Sequence, residues 1–364
     1  MWFPTDRMTK GLARWLDLFV FSTFTHRKLK MSRRKPDRRK LQPYLHPRLL
    51  SDPESFYTKP EAIPPISESL SPVKRRRRYE VFDFHFPSAI ASSHPELNTV
   101  YGRYFKTRMG EPAPTVIVLH GWLAFNYVWY TSICQKLARM GTSSLIIQLP
   151  YHMQRRLRTA RYSGEWAISG DMAQSIEMIR QSVADTRSVI NWLTAQSTAP
   201  IGLWGVSLGG WIGALLVAVE SRLDFAVLMT PAVRPDDVMW FSRLCPPLRE
   251  VIASAGFTYD EVAAILRVVT PKYFSPRLSP ERLLLIQAEV DQAVRPHTIE
   301  ELWRAWNHPR LRRYPHGHIS VIISLRALRD TFAFIKEMAT VTSGVLAPSR
   351  QWPTDESVSS GSSD

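Results

Sequence analysis

The sequence predicts an α/β protein with a mostly parallel central sheet flanked by helices. Short apolar runs alternate with helical patterns over about 220 residues, which is typical of strand–helix–strand units. Runs such as residues 115–119 are apolar throughout, as expected for strands buried on both faces. Because strands joined through helices lie parallel, the pattern indicates one sheet between two helical layers.

The elements follow in a regular order. The first two strands, 79–86 and 100–106, are predicted to form an antiparallel pair ahead of the parallel strands. The predicted parallel strands are 115–119, 144–148, 201–206, 225–229, 283–287 and 311–314, and the predicted helices are 127–140, 171–193, 211–221, 299–306 and 320–338. Residues 231–280 are too long for an ordinary connection between strands, so we expect them to form a helical cap.

The positive charge is concentrated ahead of this pattern. Residues 1–78 hold 19 Lys and Arg against 7 Asp and Glu, whereas the whole chain has a net charge of +15. We predict an irregular basic N-terminal extension at 1–78, including a linker with little regular structure at 41–72. The strand–helix pattern occupies 79–340, and a Ser-rich disordered tail is predicted at 341–364. Nucleic acid is a less favoured partner because the excess charge lies outside the folded domain.

An amphipathic helix is predicted at residues 7–24. Charged residues recur there at spacings of three and four, so they share one face. We consider two interpretations, namely a helix docked on the folded domain and a helix lying in a membrane interface. The charged face comprises Arg7, Lys10, Arg14 and Asp17, and the apolar face Met8, Leu12, Trp15, Leu16, Phe19 and Val20. A third interpretation is a disordered or mis-started N-terminus, since Met31 can also begin a chain.

The sequence favours a cytoplasmic protein, with peripheral membrane contact as the alternative. No apolar run reaches the ~18–20 residues that span a bilayer, and Asp17 interrupts the closest one. A basic run follows where a signal peptide would need a small-residue cleavage site. Cys134 and Cys245 show neither a disulfide framework nor metal-ligand spacing. The oligomeric state is not indicated.

The strongest chemical signal is the G-x-S-x-G motif at residues 205–209. An apolar strand precedes it and a helical run follows, which is the setting of a nucleophile elbow. Such a turn strains the serine backbone, and Gly205 and Gly209 are expected because bulk there would clash. The motif predicts Ser207 as a nucleophile.

A serine hydroxyl needs a base, and the base needs a partner that fixes its tautomer. His318 follows the last strand and is the favoured base, with His316 as the alternative. Asp291 follows the strand 283–287 and is the favoured acid. Glu289, and the pair Asp236 and Asp237, are the alternatives.

Donors for a developing oxyanion are predicted from two backbone positions. One is the N–H of Leu208, directly after the nucleophile, and the other is the N–H of Trp122 in the loop after strand 115–119. In that loop His120 is expected to be a structural hydrogen-bonding residue beside Gly121.

A polar segment after strand 144–148 is predicted to reach the active-site face, because the carboxyl ends of parallel strands meet there. Tyr151, His152, Arg155 and Arg156 form a candidate pocket wall, with an arginine meeting an anionic substrate group. An exposed basic loop with internal pairing is the alternative interpretation.

Four features of the sequence carry a family resemblance, namely His120-Gly121, Gly205 to Gly209, Asp291 and Gly317-His318. Through them the chain resembles the α/β-hydrolase superfamily from about residue 79 to residue 340. Residues 149–152, Arg155-Arg156, 287–291 and 317–320 more narrowly resemble the subgroup of α/β-hydrolase domain-containing protein eighteen. The resemblance implies an α/β-hydrolase fold with no metal and no organic cofactor. It implies a serine hydrolase for a carboxylic ester, and the basic leader suggests a lipid or medium-chain ester. Thioesterase, acyltransferase and peptidase activities remain alternatives, as does a non-catalytic binding protein.

Overall fold

The computed structural model describes residues 9–27 and 34–342, and its core is a nine-stranded sheet. The strands are β1 Ser71–Arg75, β2 Tyr79–Pro87, β3 Thr99–Thr107, β4 Thr115–Leu119, β5 Ser143–Ile147, β6 Ile201–Val206, β7 Phe225–Met229, β8 Leu283–Ala288 and β9 Arg310–Tyr314. They lie in the order β1-β2-β3-β5-β4-β6-β7-β8-β9. Strands β1 to β3 pair antiparallel with one another and β3 with β5, and all other pairs are parallel.

The helices cover both faces of the sheet. They are α1 Lys10–Arg27, α2 Arg38–Leu41, α3 Arg48–Ser51, α4 Ile66–Ser69, α5 Val128–Arg139, α6 Met172–Gln196, α7 Leu208–Val219, α8 Pro235–Phe241, α9 Pro246–Ser254, α10 Tyr259–Ile265, α11 Pro296–Ala305, α12 His318–Ile322 and α13 Leu325–Thr342. Every residue of β4 to β8 is buried, because helices such as α6 and α7 pack on one face and α5 and α13 on the other. The predicted fold class is confirmed.

Two predicted elements differ in the structure. Residues 320–338 form two helices, because Ser324 accepts a hydrogen bond from the Ala327 N–H and caps a new helix there. Residues 71–75 add a third antiparallel strand, β1, which sequence analysis had placed within the irregular extension. This strand lies on the edge of the sheet, and all five of its residues are exposed, so no alternation marks it.

The segment predicted as a linker is anchored to the folded domain. Residues 38–69 contain three short helices, and Leu41, Phe56, Tyr57 and Ile66 are buried within the main core. The Tyr57 hydroxyl donates to the Val268 carbonyl oxygen at 2.8 Å. Prolines and polar residues separate Leu41, the pair Phe56-Tyr57 and Ile66, so no periodic pattern indicates their burial.

Residues 231–280 lie between β7 and β8 and contain α8, α9 and α10. Side chains from α8 and from the turn before α9 reach the carboxyl ends of the central strands, beside Ser207. Hence this segment covers the region where the parallel strands end.

Helix α1 packs against α12, far away in the sequence. Asp17 is fully buried, whereas Trp15 and Phe19 of the predicted apolar face are more than half exposed. Helix α1 is therefore docked on the folded domain. The face that it buries contains Asp17 and is not the predicted apolar face. Arg7, Met8, most of the basic run 27–34 and the tail from residue 343 lie outside the described residues.

Among the helices of residues 9–27 and 34–342, none combines the length and the apolar character needed to cross a membrane.

Candidate active site

Ser207 occupies the sharp turn between β6 and α7. Its φ of 53° and ψ of −111° are unusual for a residue with a side chain. Two backbone hydrogen bonds hold the turn, from the Ser207 N–H to the Met229 carbonyl oxygen and from the Trp211 N–H to the Ser207 carbonyl oxygen, both 2.9 Å. The structure therefore fixes the serine at the carboxyl end of the parallel strands.

The glycines of the motif allow the close approach of three backbone segments. A Cβ at Gly205 would lie 2.2 Å from the Gly209 carbonyl oxygen. A Cβ at Gly209 would lie 2.2 Å from the Leu119 carbonyl oxygen at the end of β4. These contacts with main-chain atoms leave no room for any side chain, and they bring the turn against the loop that follows β4.

Three side chains from separate loops meet at this turn. The His318 Nε2 lies 3.0 Å from the Ser207 Oγ, and the His318 Nδ1 lies 2.7 Å from the Asp291 Oδ2. The other carboxylate oxygen, Asp291 Oδ1, accepts from the Ala293 and Val294 N–H groups at 2.8 and 2.7 Å. An ionised carboxylate only accepts, so the Nδ1 carries the proton and the Nε2 is free to accept from the serine hydroxyl.

The environment of His318 favours its protonated form. Burial on its own lowers the pKa of His318, but the adjacent Asp291 carboxylate, its hydrogen bond and the charge of Asp17 raise it, and the net direction is upward. An imidazolium formed here therefore faces negative charge, which suits a general base that must take and hold a proton.

The structure places the alternative residues elsewhere. Asp236 pairs with Arg234, Asp237 pairs with Arg295, and Glu289 lies 2.6 Å from the Lys10 Nζ. The ring that meets both Ser207 and Asp291 is that of His318 and not that of His316.

The loop after β4 is held against the serine by side-chain hydrogen bonds. The Gly121 N–H donates to the Tyr130 hydroxyl at 2.7 Å, and the Trp122 Nε1–H donates to the Gly164 carbonyl oxygen at 2.7 Å. A Cβ at Gly121 would lie 3.7 Å from the Ser207 Cβ, so the loop backbone is in van der Waals contact range of the serine.

His120 is hydrogen-bonded on both ring nitrogens. Its Nδ1–H donates to the Gly121 carbonyl oxygen at 2.9 Å, and its Nε2 accepts from the Leu149 N–H at 3.0 Å. Burial lowers the pKa of His120 to about 4, so the ring is neutral and bridges two loops.

An apolar pocket opens beside Ser207. Trp122, Leu208 and Trp211 line it from the body, and Val238, Met239 and Leu244 line it from the segment between β7 and β8. The space within it is only about 40 Å³, enough for very few heavy atoms. This arrangement can hold a small apolar group against the serine hydroxyl.

The residues after β5 contradict the predicted pocket wall. His152 and Arg155 are fully buried, and Tyr151 is almost so. The Arg155 guanidinium donates to the Gln148 and Leu97 carbonyl oxygens and lies 2.8 Å from the Asp185 Oδ2. A charge buried with its counter-ion serves the interior, so no anionic substrate reaches it. Arg156 is exposed, and none of the four residues lines the pocket beside Ser207.

One site residue was missed. The carboxylate of Asp17 from α1 touches the loops that carry His318 and Asp291, with its closest contact 2.6 Å from the His318 backbone nitrogen. Its partners are backbone N–H groups, which leave no trace in residue type. The only signal in the sequence is an aspartate in the middle of an apolar helix.

Comparison with solved structures identifies the architecture. The acetyl xylan esterase of Paenibacillus sp. R4 superposes with a TM-score of 0.62 at 16% identity and covers 83% of this chain and 99% of its own. Acetyl xylan esterase 1 of Thermoanaerobacterium sp. JW/SL YS485 gives a TM-score of 0.55 at 16% identity, over 86% of this chain and 98% of its own. The chain has the α/β-hydrolase fold. Ser207, Asp291 and His318 occur along the chain in the order that this fold uses for a nucleophile, an acid and a base.

Sequence comparisons add relatives without a described activity. An uncharacterised protein of Mycobacterium tuberculosis is 28% identical over 305 residues, which are 76% of this chain and 68% of that protein. The uncharacterised protein YdjC of Bacillus subtilis is 30% identical over 91 residues, which are 25% of this chain and 78% of that protein. The chain belongs to the same family as YdjC, and it spans about two thirds of the mycobacterial relative.

No family model matches the chain. These comparisons give the α/β-hydrolase fold and no support for the narrower subgroup of α/β-hydrolase domain-containing protein eighteen.

Proposed function

We propose that this protein is a serine hydrolase that cleaves a carboxylic ester through an acyl-enzyme intermediate. The observation that carries the proposal is the continuous hydrogen-bonded path from Asp291 through His318 to Ser207. It ends on a serine whose backbone is held in a strained turn beside an apolar pocket. The two acetyl xylan esterases share the fold, which supports an ester as the substrate.

The geometry supports the following sequence of steps. The Ser207 Oγ attacks the acyl carbonyl carbon while the His318 Nε2 takes the hydroxyl proton, and Asp291 stabilises the resulting imidazolium. The tetrahedral intermediate then expels the alcohol, which receives the proton from His318. Water then attacks the acyl-serine and gives a proton to His318, which returns it to the Ser207 Oγ as the carboxylic acid leaves.

Two backbone N–H groups are proposed to bind the oxyanion. Leu208 is the first residue of α7, so its N–H has no acceptor one turn earlier in the helix. Trp122 lies in the loop after β4 and lines the same pocket as Ser207. The Gly121 N–H is bound to Tyr130, so we assign the next N–H, that of Trp122, as the donor from this loop.

The pocket favours a short acyl group over the lipid or medium-chain ester suggested by the leader. Its walls are apolar, and Met239 from α8 is one of the side chains that line it. A cavity of about 40 Å³ suits an acetyl group, whereas longer chains require the segment between β7 and β8 to move.

We expect kcat/KM for p-nitrophenyl esters to decline with acyl length, and the octanoate to be at least about ten-fold poorer than the acetate. Met239→Ala should raise the relative rate for butanoate and hexanoate, because it removes a wall of the pocket. Met109→Ala, at an exposed methionine outside the pocket, is the matched control and should keep the wild-type profile.

A wild-type preference for octanoate would contradict the short-acyl assignment and leave the hydrolase assignment standing. Protein that hydrolyses none of these esters and does not react with a fluorophosphonate probe would contradict the hydrolase proposal itself.

A further inference from the structure

Helix α1 turns one narrow stripe of side chains towards the body. Ala13, Asp17 and Phe21 recur every four residues and are all buried, as expected for one face of a helix. Asp17 is the charged residue in the middle of that stripe. A buried carboxylate is costly unless several donors satisfy it, so its partners indicate why the helix docks there.

The donors are backbone N–H groups from both loops of the triad. The Asp17 Oδ2 accepts from the His318 N–H at 2.6 Å and from the Gln292 N–H at 3.2 Å. The Asp17 Oδ1 accepts from the Ile319 N–H at 3.1 Å. One carboxylate thus ties the residue after Asp291 to His318 itself and to the residue after it.

Gly317 makes this approach possible. A Cβ on Gly317 would lie 2.5 Å from the Asp17 Oδ2, so any side chain there would push the carboxylate away. The glycine beside the catalytic base is therefore matched to an aspartate some 300 residues earlier in the chain.

We propose that Asp17 is a positioning residue for the triad, so that helix α1 completes the active site. This inference rests on the proposed hydrolase function. Asp17 does not touch Ser207 or the substrate pocket, and it acts by fixing the backbones that carry His318 and Asp291. It also adds a second negative charge near the imidazole.

The negative charge of Asp17 should affect the pH profile of the enzyme in a way that a purely structural contact would not. The titratable or charged groups facing the His318 ring are Asp291, from the loop after β8, and Asp17, from α1. Neutralising Asp17 should lower the pKa of His318, because an anion near an imidazole favours its protonated form. The base works when neutral, so the acid limb of the kcat/KM profile should move to lower pH.

Asp17→Asn is the informative variant. An amide has one carbonyl oxygen and one NH₂ group, so its oxygen can accept either from Ile319 or from the pair Gln292 and His318. Its NH₂ group then faces the remaining backbone N–H, and two donors cannot form a hydrogen bond with each other. We expect kcat/KM to fall about 10²-fold at its optimum, as a displaced catalytic group would cause. Ser22→Ala, at an exposed position of the same helix, is the control and should match the wild type.

The fold should survive, and hydrogen exchange measured on both variants tests this. In Asp17→Asn the amides of Gln292, His318 and Ile319 should exchange faster, while those of β4 to β8 keep wild-type protection. A variant with wild-type kcat/KM and an unmoved acid limb would overturn the inference even if fluorophosphonate labelling confirmed the hydrolase. Titration of the His318 ring by NMR gives the pKa shift without any substrate, so failure of the proposed function remains distinguishable.

A second inference follows from the outer face of α1. Leu12, Trp15, Leu18 and Phe19 are exposed there, and the Trp15 and Phe19 rings stack with centroids 5.1 Å apart. Arg14 is exposed on the same helix, and the sequence of residues 27–40 adds several basic runs. An aromatic, apolar helix face that carries an exposed arginine and is followed in sequence by basic runs has the composition that binds the headgroup region of anionic lipid. We infer that this face docks on an anionic bilayer.

Flotation of the full chain with vesicles of phosphatidylcholine containing 30% phosphatidylserine, about physiological in charge, tests this docking. The double variant Trp15→Glu and Phe19→Glu should lose at least about ten-fold in partitioning. Val73→Glu changes an exposed apolar residue of β1, the edge strand farthest from β9 in the sheet. This variant should bind like the wild type. Equal flotation of all three proteins would overturn the inference, as would binding of RNA in preference to vesicles.

Discussion

Replacing Ser207 with alanine should abolish both ester hydrolysis and labelling by a fluorophosphonate probe. Loss of the nucleophile of a serine triad removes about 10⁶-fold in kcat in a well-studied serine protease, and a similar loss is expected here. The reason is geometric, since no other hydroxyl is hydrogen-bonded to the His318 Nε2 among the described residues. Gel-based labelling and a p-nitrophenyl acetate assay measure the effect.

The folded state should change little in this variant. Alanine meets the same backbone strain at φ 53° as serine does, and the lost hydrogen bond to His318 is worth about 1 kcal/mol. Ser254→Ala, at an exposed position of α9, is the matched control and should label at the wild-type rate. Labelling of Ser207→Ala at a rate near that of the wild type would show that another residue is the nucleophile.

Asp291→Asn should reduce kcat by about 10⁴-fold without unfolding the protein. The Ala293 and Val294 N–H groups would hold the amide oxygen of the asparagine, so its NH₂ group would point at the His318 Nδ1. Such a ring must accept at Nδ1 and carries its proton on Nε2, which is the tautomer that cannot take the proton of Ser207.

Glu289→Gln separates the two candidate acids of this loop. Glutamine retains a polar contact with Lys10, and Glu289 does not touch the imidazole, so activity should stay within about two-fold of the wild type. Steady-state kinetics on both variants, with thermal unfolding as a check on folding, provide the comparison. A larger loss for Glu289→Gln than for Asp291→Asn would reverse the assignment.

The apolar pattern was sufficient for the buried strands of the sheet but not for the exposed edge strand β1, and the G-x-S-x-G motif was sufficient for the turn at Ser207. Strands such as 115–119 and 201–206 are buried on both faces, and that environment dictates a continuous apolar run which is visible in the sequence. The G-x-S-x-G spacing is visible as a short motif, although only Gly205 faces its own turn and Gly209 faces the Leu119 carbonyl oxygen of the distant strand β4. The order of Ser207, Asp291 and His318 then follows from strands that end at one edge of the sheet.

Ion pairs inside the protein are harder to predict from the sequence than apolar strands. Arg155 looks like a surface residue because arginines surround it, yet Asp185 and two carbonyl oxygens neutralise it inside the protein. Only the position of α6, which carries Asp185, makes that burial tolerable.

The sequence by itself determined the α/β class, the strained serine turn and the candidates for base and acid, because each is encoded by neighbours within a few residues. The tertiary structure alone decided that Asp17 faces the triad, that Arg155 is internal and that the pocket is narrow. A backbone N–H group or a buried pocket wall acts through its position in the fold, and the residue type does not reveal that position. Contacts between segments hundreds of residues apart therefore arise only once the chain has folded.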